Sequence, residues 1–509
     1  MTSLAQGETK SNSSSNFLFM ENYQILQKSP ERDTNLSHNY HTLDLVTSQN
    51  DNIVEEFTLG INLDMSGSMS VRPTSDKSIL DYCIHTVINL IKYLERVYID
   101  NEHINITLII NAFDDKIEKL GILKIGQDST NMIKKLQTLY PRGGTDISNA
   151  FNEMSTNSIY KECDDTKKAH ILFTDGMPTH GSISAEGILK SNPGGEQVFI
   201  GYGTGHDAKL LQKMAKLSNG SYHFVDTIEN AGMVYGEIIH SLLYKTVEDV
   251  KVYVEGVEVY DFNENCWTNK LNFTSFASEH VQTLVMRSPW NSVELLKCNI
   301  IYTESKNKIL HSKTDSYNVY NCTNGEAKEY DRNISVEKQM FRQKTMEMLN
   351  EAMVINGFQE PYKTPSDEYY DFKKKLDKFY GELKKFMETK KLNDDAFMIK
   401  LLGDIYTASN SISPAFIGSR LTSQGLQRAY QVNYTPDMFD FEDHMFRSAS
   451  VNNAHDGMMR SSTLPIPRRL NFDTDDNDRA LTPPPTMARE TSCYTTPSQI
   501  NVMRCVSGQ

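Results

Sequence analysis

A doubly wound α/β domain with a mostly parallel sheet, followed by a small β-rich module and a helical segment and flanked by disordered tails, is the architecture this sequence predicts. Three observations lead to it. Between residues 42 and 245, short apolar runs alternate with helical stretches, as in a parallel sheet covered by helices on both faces. From 246 to 330 the helical spacing gives way to β-type runs separated by turns rich in Asn, Ser and Lys, and from 331 to 412 it returns. Residues 1–41 and 413–509 are polar, with too little apolar material to offset the entropy of ordering.

Taken in order, residues 1–41 read as a disordered tail. His38 and His41 within it have no third partner nearby, so they are not taken as metal ligands. The α/β domain offers five strands: FTLGINLD (57–64), INITLIINAF (104–113), AHILFTD (169–175), QVFIGYG (197–203) and SYHFVD (221–226). Between the first two, Ile79, Cys83, Val87, Leu90, Ile91 and Leu94 recur at spacings of three and four, which predicts an amphipathic helix. A central strand buried on both faces reads as a continuous apolar run, and Ile171-Leu172-Phe173 does so just before Thr174-Asp175. Asp146 and Asp207 are placed as helix caps.

The runs VKVYVEGVEVY, VQTLVM and VELLKCNIIY predict a small antiparallel β module over 246–330. Over 331–412, Phe341, Met348, Leu349, Ala352 and Met353 share one helical face, and Pro361 and Pro365 end that helix. A second helix begins near Ser366 and a third near Asn393. The stretch from Tyr369 to Lys391 alternates in charge sign, which fits a solvated helix better than an RNA surface. Residues 413–509 read as a largely disordered tail. It carries Thr482-Pro483 and Thr496-Pro497, and Arg468-Arg469-Leu470-Asn471-Phe472 resembles a cyclin-docking peptide. Proline-directed phosphorylation there would make the tail switchable by charge.

Composition narrows the partners. A chain of 509 residues supports two or three domains, and a net charge of −14 disfavours nucleic acid or an anionic membrane as partner. The seven cysteines (Cys83, Cys163, Cys266, Cys298, Cys322, Cys493, Cys505) are scattered and never form C-x-x-C, which argues for reduced thiols rather than disulfides or structural zinc. The first residues lack a basic segment followed by an apolar one, and no apolar run reaches a membrane span. The expected setting is intracellular, cytoplasmic or nuclear, and not secreted.

Chemistry concentrates at three separated segments. Asp64-Met65-Ser66-Gly67-Ser68 ends the first strand, Gly143-Gly144-Thr145 precedes a helix, and Thr174-Asp175-Gly176 ends the buried strand. In open α/β sheets, ligands bind at the C-terminal edge of the strands, where these segments converge. Asp64, Ser66, Ser68, Thr145 and Asp175 together offer two carboxylates and three hydroxyls, a set suited to a hard cation, Mg²⁺ or else Mn²⁺ or Ca²⁺. With so few anionic ligands the ion stays electrophilic and accepts a further carboxylate.

The D-M-S-G-S, G-G-T and T-D-G segments resemble the metal-ion-dependent adhesion site, or MIDAS, of von Willebrand factor type A (VWA) domains, matching all five positions over about residues 42–245. The resemblance implies that Asp64, Ser66 and Ser68 are ligands from the first loop, Thr145 from the second and Asp175 from the third, directly or through water. The order of segments also resembles intracellular proteins of this type, in which a β module and a helical segment follow. Some plant relatives add a zinc-binding ubiquitin-ligase finger, and this chain has no Cys/His cluster to build one. The function implied is a Mg²⁺-dependent, non-catalytic protein-interaction module or scaffold whose partner offers an acidic residue. Two rival readings are a scaffold in a ubiquitin-related or other assembly where the metal is only structural, and a Mg²⁺-dependent phosphohydrolase. The latter generally needs a second carboxylate two residues after its nucleophile, and Ser66 stands there.

Overall fold

The computed structural model describes residues 17–26, 38–49, 53–72, 77–203, 206–225, 231–289, 295–318, 329–355, 367–410, 414–425, 427 and 496–507. In chain order the strands are β1 (Leu18–Leu26), β2 (His38–Thr47), β3 (Glu56–Asp64), β4 (Asn105–Phe113), β5 (Ile117–Lys124), β6 (Lys168–Thr174), β7 (Glu196–Tyr202), β8 (Ser221–Val225), β9 (Lys245–Glu255), β10 (Glu258–Asp261), β11 (Cys266–Thr268), β12 (Lys270–Ala277), β13 (Val281–Pro289), β14 (Leu295–Glu304) and β15 (Leu310–Asn318). The helices are α1 (Ile79–Asp100), α2 (Thr130–Gln137), α3 (Ile147–Thr156), α4 (Ser158–Glu162), α5 (Ala185–Ile188), α6 (Ala208–Leu217), α7 (Ala231–Leu243), α8 (Glu329–Val354), α9 (Asp367–Lys390), α10 (Ala396–Asn410), α11 (Pro414–Gly425) and α12 (Pro497–Ser507). They fall into two compact units, Glu55–His240 with Tyr260–Trp267 and Tyr330–Gln509, and Met1–Val54 with Ser241–Val259 and Thr268–Glu329.

The first unit is built on a six-stranded sheet of order β5-β4-β3-β6-β7-β8. The five strands expected from the sequence are β3, β4, β6, β7 and β8, all mutually parallel where they pair, and β5 adds an antiparallel edge. That edge escapes the sequence pattern because only Leu120 and Leu123 of IEKLGILK are buried. The central strands behave as buried parallel strands should: all of β6 is buried, and all of β3 except Glu56.

Polar side chains inside the sheet are satisfied by one another. Asn111 donates to Asn62 Oδ1 (3.2 Å), Asn62 donates to the Ala150 carbonyl (2.9 Å), and Asn62 Nδ2 meets His170 Nε2 at 2.9 Å. His170 Nδ1 then meets Gln197 Oε1 at 3.0 Å. Burial lowers the His170 pKa to about 4, so the ring is neutral, accepting from Asn62 and donating to Gln197.

Helix α1 starts at a capping box, in which the Ser78 hydroxyl accepts from the Asp81 amide and Asp81 accepts from the Ser78 amide. Asp146 and Asp207 cap α3 and α6 through the amides of Asn149 and Leu210. The helices after the β-rich segment belong to this same unit. Phe341 of α8 stacks near Phe379 and Phe386 of α9, while Glu351 pairs with Lys375 and Glu337 with Lys390, so the two run antiparallel. Arg420 of α11 and Asp404 of α10 form a buried ion pair at 2.9 Å.

Two expectations of disorder meet structure instead. Residues 414–425 form α11, which lies beside β8 and α6, and residues 497–507 form α12 against α1. Val502, Met503 and Val506 of α12 are buried at 0–3% exposure, an apolar face diluted by the polar residues around it. The Arg468–Phe472 peptide and Thr482 lie outside the described residues.

The second unit holds β1, β2, β13 and the start of β10 in one sheet and a second sheet ordered β12-β9-β14-β15, with a shared apolar core that includes Leu43, Leu45, Val250, Val252, Val254, Leu284 and Ile300. Val250, Val252 and Val254 alternate inward at the period of two that a half-buried strand requires. Strands β1 and β2 come from the expected N-terminal tail and from the first residues assigned to the α/β domain. The sequence conceals them because polar side chains line their buried face: His41, fully buried, meets Tyr23 Oη and Ser288 Oγ at 2.9 Å each. Strand β2 pairs with β13 along its length, a partner more than two hundred residues away.

No helix of the described residues is long and apolar enough to cross a membrane. The described cysteines, Cys83, Cys163, Cys266, Cys298 and Cys505, are free thiols.

Candidate metal centre

Strand order reverses between β3 and β6, because β4 and β5 lie to one side of β3 while β6, β7 and β8 follow on the other. A doubly wound sheet opens a crevice beyond its strands at this switch point. Asp64 is the last residue of β3, and Asp175 follows the last residue of β6.

All five predicted residues come together there. Asp64 is fully buried; its Oδ1 accepts from the Ser66 amide (2.7 Å) and its Oδ2 from the Thr174 hydroxyl (2.6 Å). Ser66 Oγ and Ser68 Oγ lie 3.1 Å apart, and Ser68 donates to Asp175 Oδ1 at 2.7 Å. Thr145 joins them through Gly176, where a Cβ would sit 3.3 Å from Ser68 Oγ and 3.5 Å from Thr145 Oγ1. Asp64, Ser66, Thr145 and Asp175 are buried, whereas Ser68 and Gly67 are exposed, so the cluster opens to solvent on the Ser68 side.

The three loops are tied directly to one another. The Gly67 amide donates to the Gly143 carbonyl (3.1 Å), the Arg142 amide to the Met65 carbonyl (2.8 Å), and the amides of Thr179 and His180 to the Thr145 carbonyl (2.9 and 3.1 Å). Gly143 has φ +65°, and a Cβ there would come within 2.3 Å of Asp115 Oδ1, so glycine is required by both conformation and space. Sequence reasoning assigned no role to Thr174, although it stands inside the T-D-G segment, nor to Thr179, whose hydroxyl accepts from the Thr145 amide at 2.8 Å.

Burial raises the pKa of both Asp64 and Asp175 above the ordinary carboxylate range, and the Asp64 charge raises Asp175 further. No Lys or Arg of the described residues pairs with either. The nearby guanidinium of Arg142 is engaged by Asp114 (2.9 Å) and Glu118 (2.8 Å). Two buried carboxylates with no Lys or Arg partner among the described residues, beside three hydroxyl oxygens, match the donor set a hard divalent ion takes. Among the described residues no group of three or more His, Cys, Asp or Glu is placed to hold a metal ion, so an ion at this cluster would rest on the hydroxyls as well as the two carboxylates.

A doubly wound sheet with an antiparallel edge strand and this cluster at its switch point has the fold of a von Willebrand factor type A domain, and residues 59–236 match that family's model. Similar solved structures include a von Willebrand factor type A protein from Catenulispora acidiphila (14% identity, 67% of this chain and 83% of that one, TM-score 0.46) and the ArnB paralog VWA2 from Sulfolobus acidocaldarius (12%, 81% and 99%, TM-score 0.45). Proximal thread matrix protein 1 from the mussel byssus, solved with a zinc-occupied MIDAS motif, is similar at 16% identity over 40% of this chain and 50% of that one, TM-score 0.31. No curated protein matches the chain.

Proposed function

We propose that Asp64, Ser66, Ser68, Thr145 and Asp175 hold a divalent cation, Mg²⁺ or alternatively Mn²⁺ or Ca²⁺, and that the site binds an acidic residue of a partner protein without catalysing a reaction. The observation that carries this reading is the pair of buried carboxylates with no basic partner among the described residues, open to solvent on the side of the Ser68 hydroxyl. When bound, the ion supplies an electrophilic position for an incoming carboxylate. The chain's own residues do the rest. Asp64 and Asp175 supply charge, the three hydroxyls supply neutral donors, and the loop hydrogen bonds keep them in register. Domains of this family commonly mediate protein–protein contacts.

Two rivals are less well supported. Both oxygens of the buried Asp64 are already held by Ser66 and Thr174, which suits a fixed ligand better than a nucleophile. A purely structural metal has little left to join, since the loops are already bridged through Gly67, Gly143, Met65, Arg142, Thr145 and Thr179. Met177 and Tyr140, 59% and 60% exposed in the loops that carry Asp175 and Thr145, offer apolar contact beside the acidic group. The free thiols favour an intracellular setting, and the net charge of −14 favours a protein over nucleic acid or an anionic membrane.

The test is partner capture on the immobilised full chain in Mg²⁺ and in EDTA, with Asp64→Ala as control. Capture is expected to vanish in EDTA and in the variant while circular dichroism stays unchanged. Capture that is indifferent to both would sink the proposal.

A further inference from the structure

We propose that the groove between α1 and α7 is a second protein-interaction surface, a receptor for an amphipathic helix, and that α12 is its detachable ligand carried on the same chain.

The groove is shaped for a helix. With α12 in place, every residue of α7 from Gly232 to His240 is buried, and twelve of the twenty-two residues of α1 are buried, more than one packing stripe requires. Gly232, Gly236 and His240 recur every four residues and so share one side of α7. A Cβ on Gly232 would lie 2.4 Å from Ser507 Cα, and one on Gly236 2.4 Å from Met503 Cα, while His240 Nε2 meets Ser498 Oγ at 3.0 Å. The partner numbers fall as those of α7 rise, so the helices cross antiparallel with their backbones in contact. Two glycines weaken a helix. They are explained by a second backbone lying on them.

The ligand is self-contained. Thr496 and Gln499 cap each other, the Thr496 hydroxyl accepting from the Gln499 amide (3.4 Å) and Gln499 Oε1 accepting from the Thr496 amide (2.9 Å). Val502, Met503 and Val506 form its apolar face. At eleven residues α12 is too short to persist as an isolated helix, so it orders as it docks. About 70 residues of sequence separate it from α11, so α12 competes with an added peptide as a segment tethered to its own groove. Segment and groove therefore meet as a linear motif meets its receptor.

The test uses the full chain carrying Met503→Asp, which sets a charge against Gly236 and expels α12, and a fluorescent synthetic peptide of residues 494–509. The peptide is expected to bind this variant at least tenfold more tightly than the wild-type chain, whose groove is filled. A peptide bearing Met503→Asp, or a chain bearing Gly236→Leu as well, is expected not to bind. A folded Met503→Asp chain that takes up no peptide would overturn the proposal. So would a Met503→Asp chain that loses cooperative unfolding, since α12 would then be part of the core.

Discussion

Thr174 supports the proposed metal site without being one of its five donors. Its hydroxyl donates to Asp64 Oδ2 at 2.6 Å in a fully buried setting. Thr174→Val keeps the shape and removes the donor, leaving a buried carboxylate oxygen unpaired. Loss of such a supporting contact typically costs about 10-fold or more in metal affinity, and calorimetric titration of the variant with Mg²⁺ is expected to show it. An unchanged affinity would mean that Thr174 does not orient Asp64. His170 makes a second prediction at this scale. Its pKa is lowered from 6.5 to about 4 by burial, so between these values the unfolded chain binds the extra proton. Its contribution is complete above pH 6.5 and is lost as pH falls toward 4, to an extent on the order of 3 kcal/mol. Denaturant unfolding of His170→Gln beside the wild type should show a shallower loss over that window, and parallel profiles would refute the assignment.

At the scale of elements, α1 follows the first loop of the site, so its start bears on the position of that loop. Ser78→Ala removes one half of the capping box with Asp81 and is expected to lower unfolding free energy by about 1 kcal/mol in urea titration. No change would place the start of α1 under tertiary control alone. What the sequence disclosed also sorts by element. Strands β3 and β6 were legible because burial on both faces leaves an uninterrupted apolar run, and Asp64 and Asp175 because each ends such a run. Strands β1 and β2 were not. Their buried face includes Asn39, His41 and Thr47, acceptable only because partners such as Ser288 and the Ala277 carbonyl arrive from a distant part of the chain. Helices α11 and α12 were missed for a related reason: each is short, and its apolar residues acquire meaning from α6, β8 and α1.

For the whole molecule, the N-terminal strands with Ser241–Val259 and Thr268–Glu329 make one unit, and the α/β domain with Tyr260–Trp267 and the later helices makes the other. Each unit is assembled from separated stretches of chain, whereas the sequence alone was divided into successive segments. The cluster of Asp64, Ser66, Ser68, Thr145 and Asp175 lies within the first unit, so the proposed metal binding can be tested on the intact chain. The most direct test of the account is isothermal titration of Mg²⁺ into the full-length protein, wild type beside Asp64→Ala. The account predicts a single site in the wild type and none in the variant, with the fold of both retained in EDTA. Absence of binding to the wild type, or equal binding to both, would contradict it.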